Sequence, residues 1–225
     1  MINMMDLVKI ERGVLTSQQC DYLIREYENH REKACQESSF NAQTKRIEAS
    51  SFRAVSLQPQ TTAFDLLHTA TTSMIEIWIE HLERQGRFNT ALLRRCLRFS
   101  HDYRILKYQK GERIHPHTDW DFFTLGSCSF MLNDDYTGGE FVYFNREVPI
   151  VLKKGDAIIW PADCFWVHEV KAVEEGVRYS SNSFIGYLPE PYKEEISPLI
   201  EPTAEQLASS LSYLHKPCAS SGGKQ

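Results

Sequence analysis

The sequence predicts a β-rich α+β protein in which helices near the N-terminus support a sandwich, a barrel or a jelly roll. Two segments with helical periodicity occur in the first hundred residues, and eight short strand-like segments follow between about His101 and Leu188. Aromatic residues make up 12% of the 225 residues, and this content also favours β-structure.

The N-terminal part is predicted to contain two helices. Thr16 and Gln19 form a capping box ahead of the segment SQQCDYLIREYENH, whose apolar residues recur with helical spacing. A stronger helical pattern covers residues 62–84 and ends at a Gln-Gly pair. Between the two helices, the polar stretch 35–51 is expected to be a loop or a lid, followed by one short strand that ends at Pro59.

The second half of the chain is predicted to consist of short strands. Turn residues such as KGE, NDDYTGG, KKGD and EEG separate the segments. Eight strands at this spacing are typical of a sandwich, a barrel or a jelly roll. The strands are expected at residues 103–110, 113–120, 127–132, 140–144, 148–152, 156–160, 166–171 and 178–188.

Composition and charge exclude several classes of protein. A chain with 42% hydrophobic and 24% charged residues is neither largely disordered nor a collagen or a coiled coil. The net charge of -5 and the lack of a basic stripe predict that nucleic acid is not a partner. Since no signal peptide and no long apolar run is visible, we expect a cytoplasmic protein with no membrane partner, whose six scattered cysteines are free thiols.

His117, Asp119 and His168 are the candidate metal ligands. His117 and Asp119 are two residues apart in a predicted strand, so their side chains are expected to share one face. His168 lies in another predicted strand and would supply a third ligand. Two histidines and one carboxylate on one side of an ion leave open positions, an arrangement typical of non-haem Fe(II) oxygenases. His115 lies on the same predicted face as His117 and is the alternative ligand.

Arg178 adds a positive charge to these residues. It follows His168 across a turn at Gly176, so we expect the two to stand nearly opposite each other on paired strands. A guanidinium beside a metal is a fixed fork for a carboxylate, and the hydroxyl of Ser180 on the same face could add a hydrogen bond. 2-Oxoglutarate fits this pair of sites, because its keto acid end chelates iron while its distal carboxylate meets the arginine.

Three runs of sequence resemble the Fe(II)/2-oxoglutarate-dependent dioxygenases, and most closely their prolyl 4-hydroxylase-like branch. They are YQKGERIHPHTDW, LNDDYTGGEFVYF and KKGDAIIWPADCFWVHEVKAVEEGVRYS. The resemblance covers roughly residues 100–188 and joins an H-x-D, a G-G-E turn, a K-G-D turn, an H-E-V and an R-Y-S in that order. This ordered combination is specific, whereas each piece alone is weak.

The resemblance implies a double-stranded β-helix, which is a distorted jelly roll, with helices supporting one sheet. It implies His117, Asp119 and His168 as ligands of Fe(II), and Arg178 as the residue that holds 2-oxoglutarate. The implied activity is that of an oxidoreductase, a dioxygenase that consumes 2-oxoglutarate and O2 and hydroxylates a C–H bond, releasing succinate and CO2. The cofactors that it implies include ascorbate as a reductant.

Two more residues are matched by the resemblance. Tyr108 corresponds to a tyrosine that often bonds the co-substrate, and Ser180 corresponds to a less constant helper. The sequence departs from the family pattern at Ile114 and Met131, where many members have tyrosines. These departures leave the metal ligands in place but weaken the prediction of the substrate class.

The implied organisation is a helical support region at residues 1–100 within the same domain, a double-stranded β-helix catalytic core at 101–190 and a C-terminal extension at 191–225. The extension is expected to contain a short helix and a frayed tail. The expected substrate is a prolyl group of a peptide or protein, or else a free amino acid or other small molecule. The alternatives are a binding or sensing module without turnover and a cupin-like metalloenzyme that uses another metal.

Overall fold

The computed structural model describes residues 3–97, 99–119, 124–144 and 149–187. The helices of this part of the chain are α1 (Ser17–Asn29), α2 (Thr62–Arg84) and α3 (Thr90–Cys96). Its strands are β1 (Lys9–Glu11), β2 (Ser38–Asn41), β3 (Arg46–Ala49), β4 (Arg53–Ser56), β5 (Phe99–Tyr108), β6 (Ile114–His117), β7 (Thr124–Met131), β8 (Thr137–Gly138), β9 (Phe141–Tyr143), β10 (Pro149–Ile150), β11 (Ala157–Pro161), β12 (His168–Val170), β13 (Val173–Glu175) and β14 (Arg178–Gly186).

Two antiparallel sheets form the β-structure around the cavity. The larger has six strands in the order β1-β11-β7-β14-β5-β4, and the smaller has four in the order β10-β9-β12-β6. Two further antiparallel pairs are formed by β13 with β8, which are distant in sequence, and by β2 with β3, which form a hairpin. From β5 onward the chain passes repeatedly between the two sheets, with β6, β9, β10 and β12 in the smaller and β7, β11 and β14 in the larger, as in a jelly roll.

The larger sheet buries both of its faces, and β5 shows how the sequence achieves this. Tyr103 and Ile105 belong to the apolar core that packs against α1 and α2. Leu106 and Tyr108 belong to a second core, which fills the space between the two sheets. Since alternate side chains of a strand point to opposite faces, one strand serves both layers.

Helix α2 forms much of the support for the larger sheet. Thr61 caps its N-terminus by accepting a hydrogen bond from the backbone N–H of Phe64. The buried residues of α2 recur at helical spacing and face the sheet, and the indole of Trp78 also donates to the carbonyl of Leu7 over 2.7 Å. This helix holds the outer face of the sheet, so the opposite face is left to build the cavity.

The predicted fold class is confirmed. Helix α2 has the predicted bounds, α1 ends one residue earlier than predicted, and a strand overlaps each of the eight predicted segments. The predicted strand 113–120 ends at His117, and the predicted strand 148–152 contains only Pro149–Ile150. The ends of strands are the hardest part to predict, because the residues just beyond a strand can be of the same types as those within it.

Several elements were not predicted. The expected loop at residues 35–51 contains the hairpin of β2 and β3, and β8 and β13 overlap segments that were predicted to be turns. No element was predicted at β1 or α3. These strands are two to four residues long, too short for a period-two pattern to show. The predicted helix and tail of the C-terminal extension lie outside the described residues.

Two other expectations concern the chain as a whole. Cysteines 20, 96, 128 and 164 are free thiols, and Cys218 lies outside the described residues. Within the described ranges, no helix has the length and apolar character that a membrane crossing requires.

Candidate functional site

His117, Asp119 and His168 come together between the two sheets. His117 ends β6, His168 begins β12, and these two residues are direct partners in the antiparallel pairing of the strands. The nearest nitrogen of each imidazole lies close to the carboxylate of Asp119, at 3.5 Å for His117 and 3.3 Å for His168. Potential ligand atoms of all three residues lie within 4.8 Å of one another, so they could converge on a single ion.

The position of Asp119 differs from the expectation. It was predicted to lie with His117 on one strand face, but β6 ends at His117 and Asp119 belongs to the segment that leaves the strand. The carboxylate of Asp119 still lies within 3.5 Å of both imidazoles. A strict strand geometry would have kept two such side chains about 7 Å apart.

The two imidazoles are oriented by the backbone. The Nδ1 atom of His117 lies 2.9 Å from the carbonyl oxygen of His115, and Nδ1 of His168 lies 3.0 Å from that of Trp166. A carbonyl can only accept, so each Nδ1 carries a proton, which leaves Nε2 as the atom that faces Asp119 and can bind a metal when the ring is neutral. This arrangement prepares both rings to coordinate a metal through Nε2.

Burial and charge set the protonation states of His168 and Asp119. Burial lowers the pKa of His168 to about 4, so its imidazole is neutral at neutral pH. Burial opposes ionisation of Asp119, but the nearby His168 and His117 hold the pKa of this carboxyl well below its usual range. Two neutral imidazoles and one carboxylate are the donor set that suits Fe(II).

Arg178 is the first residue of β14 and is 1% exposed. Its Nη1 donates a hydrogen bond of 2.8 Å to the hydroxyl of Ser180. Its Nε is buried and has no hydrogen-bond partner within the part of the chain that the structure describes. A buried guanidinium with an unused donor that lines a cavity is suited to an anionic group, and a carboxylate fits best.

The predicted pairing of Arg178 with His168 is wrong. His168 pairs with β6 and β9 in the smaller sheet, whereas Arg178 lies in the larger sheet between β5 and β7. The chain changes sheets after Val170, and β13 pairs with β8 on the way. The two residues therefore face the same cavity from different sheets instead of forming a hairpin.

Tyr108 is the direct partner of Arg178 in the pairing of β5 with β14. The guanidinium carbon lies 4.9 Å from the centre of the tyrosine ring, and Phe52 stacks on the ring at 4.5 Å. Burial raises the pKa of Tyr108, so the phenol keeps its proton and can donate a hydrogen bond. Ser180 has a positioning role, because its hydroxyl accepts from Arg178.

These residues line a cavity of about 500 Å³, a size typical of small-molecule sites. The two sheets form its walls. The three candidate metal ligands and Arg178 all line the cavity. About half of the remaining wall is apolar, and these side chains are Phe40, Phe52, Leu106, Ile114, Phe141, Trp160, Val170 and Phe184. Such a wall excludes water and strengthens the interactions of the few charges inside.

His115, the alternative ligand, does not join the candidate metal group. Its Nε2 lies 2.8 Å from the hydroxyl of Ser39, so its ring faces the hairpin of β2 and β3. The structure also adds cavity residues that were not predicted, among them Arg104 and Asn182 on the larger sheet and Glu37 before β2. Arg104 could have been found, because it lies on the same strand face as Tyr108.

The sequence of the second half matches one family model. Residues 103–186, from within β5 to the end of β14, match the model described as the 2OG-Fe(II) oxygenase superfamily. A search of curated protein sequences gave no match.

Solved structures of prolyl hydroxylases have a similar fold. A viral collagen prolyl hydroxylase from Paramecium Bursaria Chlorella virus-1, in complex with 2OG, is 16% identical with a TM-score of 0.57, over 81% of this chain and 97% of that one. A Trichoplax adhaerens prolyl hydroxylase, in complex with a peptide fragment of the hypoxia inducible factor oxygen degradation domain, is 14% identical with a TM-score of 0.60, over 81% and 84%. A Pseudomonas putida prolyl-4-hydroxylase is 16% identical with a TM-score of 0.58, over 81% and 93%.

Proposed function

We propose that this chain, as a 2-oxoglutarate-dependent dioxygenase of the 2OG-Fe(II) oxygenase superfamily, hydroxylates a prolyl group of a peptide or protein and releases succinate and CO2. One observation carries the proposal. The potential ligand atoms of two histidines and an aspartate lie within 4.8 Å of one another, so they could bind one ion. The same cavity is lined by a buried arginine with an unused donor.

The residues present fit the implied cofactors. His117, Asp119 and His168 would hold Fe(II), and Arg178 would hold the distal carboxylate of 2-oxoglutarate. Bound Fe(II), together with 2-oxoglutarate and O2, supplies the oxidising power for hydroxylation of a C–H bond. Ascorbate as a reductant is part of the proposal and would be tested by its effect on the number of turnovers.

The protein contributes binding, orientation and the exclusion of water. The negative charge of Asp119 offsets part of the charge of a divalent ion, while both imidazoles bind in the neutral form that burial favours for His168. Arg178 is kept in place by Ser180 and by the ring of Tyr108, so it can orient a carboxylate without rearranging. The apolar wall of the cavity limits the access of water to the reacting groups.

The names of the similar structures support a prolyl substrate, and one of those proteins was solved with a peptide. A free amino acid or another small molecule is the second candidate substrate. A cytoplasmic location is also part of the proposal and would be tested by cell fractionation. A module that binds 2-oxoglutarate without turnover is the competing reading, and consumption of 2-oxoglutarate separates it from an enzyme.

The test of the metal site is an anaerobic titration of the purified protein with Fe(II) and 2-oxoglutarate. The expected result is a weak visible charge-transfer band that His168→Ala abolishes and that needs more 2-oxoglutarate in Arg178→Ala. A folded protein that gives no band would contradict the proposal. A mass-spectrometric search for the gain of one oxygen atom, with prolyl peptides as substrates, then tests the substrate.

A further inference from the structure

Two side chains on the cavity face of the larger sheet carry a buried polar atom that lacks a hydrogen-bond partner. The indole Nε1 of Trp160 can only donate, and the carboxamide Oδ1 of Asn182 can only accept. Both residues line the cavity, and neither atom is bonded to any residue that the structure describes. Buried polar groups are seldom left unpaired, so the two atoms indicate a ligand that brings one acceptor and one donor.

Trp160 and Asn182 project from the same face of the sheet. Trp160 of β11 is the direct partner of Ser127 on β7, and Asn182 of β14 is the direct partner of Ser129 on the same strand. Directly paired residues share a face, so β7 lies between the two side chains. Two strand spacings across and two residues along correspond to about 12 Å between the α-carbons, which an extended peptide of about four residues would span.

The space between these two side chains is close to the candidate metal ligands. The ring of Trp160 stands edge-on to the imidazole of His168, with 5.3 Å between the ring centres. Ser127, the strand partner of Trp160, lies beside the carboxylate of Asp119. A ligand group held by Trp160 and Asn182 would therefore be next to the metal, where the reacting C–H bond has to be placed.

The co-substrate does not supply the missing donor. At neutral pH, 2-oxoglutarate is a dianion whose oxygen atoms only accept hydrogen bonds, so it has nothing to give to Oδ1 of Asn182. The guanidinium of Arg104, the direct partner of Asn182 on β5, is in contact with Glu37 and leaves this oxygen unpaired. The donor has to come from the substrate or from water.

The surroundings of Trp160 favour a neutral ligand group. Trp160 is 2% exposed and packs edge-on against Phe141 and Tyr143, and neither of the two unpaired atoms belongs to a charged side chain. Burial of an unpaired ammonium or carboxylate in such a place costs far more than burial of an amide. The peptide backbone is neutral and offers both parts that are needed, a carbonyl oxygen that accepts and an N–H that donates.

We infer that Asn182 accepts a hydrogen bond from the backbone N–H that follows the hydroxylated prolyl residue, while Trp160 donates to a neighbouring backbone carbonyl of the substrate. A prolyl nitrogen inside a peptide carries no hydrogen, and the nearest N–H along the chain belongs to the next residue. The inference rests on the proposed function and narrows its substrate class. It selects prolyl residues that are followed by an amide over free proline and over prolyl residues at a C-terminus.

The test uses two ligands that differ in one N–H. Acetyl-Ala-Pro-Ala-amide has the N–H after its prolyl residue, whereas in the matching depsipeptide lactic acid replaces the second alanine and an ester oxygen takes that place. Dissociation constants are measured by ligand-observed NMR on the full chain with Zn(II) and 2-oxoglutarate, where Zn(II) is a diamagnetic substitute for iron. We expect the peptide to bind about fivefold to tenfold more tightly, because the ester leaves Oδ1 of Asn182 without a donor.

Variants assign the effect to the two residues. Asn182→Leu has a similar volume without the acceptor and should abolish the preference by weakening the peptide alone. Trp160→Phe keeps an aromatic ring without the N–H, so it should weaken both ligands by about fivefold and leave their ratio unchanged. Asn29→Leu, at an exposed position in the last turn of α1, should have no effect.

Equal binding of the two ligands to the wild type, or a preference that survives in Asn182→Leu, would overturn the inference and assign the donor to water. An unchanged affinity in Trp160→Phe would overturn the role of Trp160. Circular dichroism shows whether each variant is folded, and Asn182→Ala replaces Asn182→Leu if the latter is not. The comparison of the two ligands on the wild type needs no variant.

Binding of 2-oxoglutarate is recorded in the same samples. If it binds while the two ligands bind equally, the amide site is wrong and the proposed function stands. If the peptide is preferred but 2-oxoglutarate does not bind, the amide site stands and the proposed function is wrong. If 2-oxoglutarate binds and neither ligand does, the inference and the prolyl peptide substrate are both wrong.

Discussion

Arg178 and Tyr108 lie directly opposite each other on β14 and β5, and the guanidinium carbon of the arginine stands 4.9 Å from the centre of the tyrosine ring. Ser180 accepts a hydrogen bond from the same guanidinium, and Phe52 supports the ring from behind. The positive charge at this end of the cavity is therefore fixed before any anion binds, which lowers the entropy cost of binding.

Arg178→Gln should raise the dissociation constant of 2-oxoglutarate by about 100-fold, because two charge-assisted hydrogen bonds to a carboxylate are lost. Tyr108→Phe keeps the ring beneath the guanidinium and should raise it by less than about tenfold. Titration of the charge-transfer band measures both constants. Arg31→Gln, at an exposed arginine, is the control, and an equal effect of Arg31→Gln and Arg178→Gln would contradict the assignment.

Metal binding should stabilise the folded protein. At a free Fe(II) concentration about 100 times the dissociation constant, the gain is about 2.7 kcal/mol, which corresponds to about 5–10 °C in the melting temperature of a protein of this size. The shift should be seen by anaerobic differential scanning fluorimetry and should vanish with a chelator. His168→Ala should show no shift, whereas His30→Ala, at a half-exposed histidine on the surface, should behave like the wild type.

The sequence carried enough information for the jelly roll and for the residues of the candidate metal site. Strands such as β5 and β14 are long enough to show alternation, and the H-x-D and H-E-V motifs mark β6 and β12 directly. What the sequence could not give was the path of the chain between sheets. The turn after His168 is compatible with a hairpin, and only the pairing of β13 with β8 shows that the chain changes sheets there.

Ion pairs between distant segments could not be predicted from the sequence either. Nothing in the local sequence of Glu37 connects it with Arg104, because one precedes the hairpin of β2 and β3 and the other lies in the middle of β5. The glycine at 138 is different, since its φ of 71° agrees with the turn expected at the G-G-E motif. Local backbone conformation could thus be predicted from the sequence, whereas contacts between distant segments could be seen only in the folded structure.

Arg104→Met should destabilise the protein by about 3–5 kcal/mol, because it leaves the buried carboxylate of Asp102 and the neighbouring Glu37 without their shared cation. Arg104→Lys keeps the charge and should lose less. Urea unfolding at pH 7, followed by circular dichroism, measures the free energy of unfolding. A loss below about 1 kcal/mol in Arg104→Met would show that the two carboxylates do not depend on this guanidinium.

Asp156 provides a test of pH dependence in the K-G-D turn. Its carboxylate accepts hydrogen bonds from the backbone N–H of Gly13 at 3.1 Å and of Lys153 at 2.8 Å, and it forms an ion pair with Arg12. Burial opposes ionisation, but these backbone donors and Arg12 hold the pKa of Asp156 below its usual value of 3.8. Asp156→Asn should therefore cost about 1–3 kcal/mol at pH 7.

The difference between wild type and Asp156→Asn should depend on pH in a defined direction. Because the pKa of Asp156 is lower in the folded than in the unfolded state, its contribution is complete at neutral pH and is lost as the pH falls through the folded value. Urea unfolding at pH 7 and at pH 3 or below should show the two free energies converging. Arg12→Gln is the control, because this largely exposed arginine should contribute less than about 1 kcal/mol. A difference that stays constant over this range would mean that the turn needs the shape of Asp156 and not its charge.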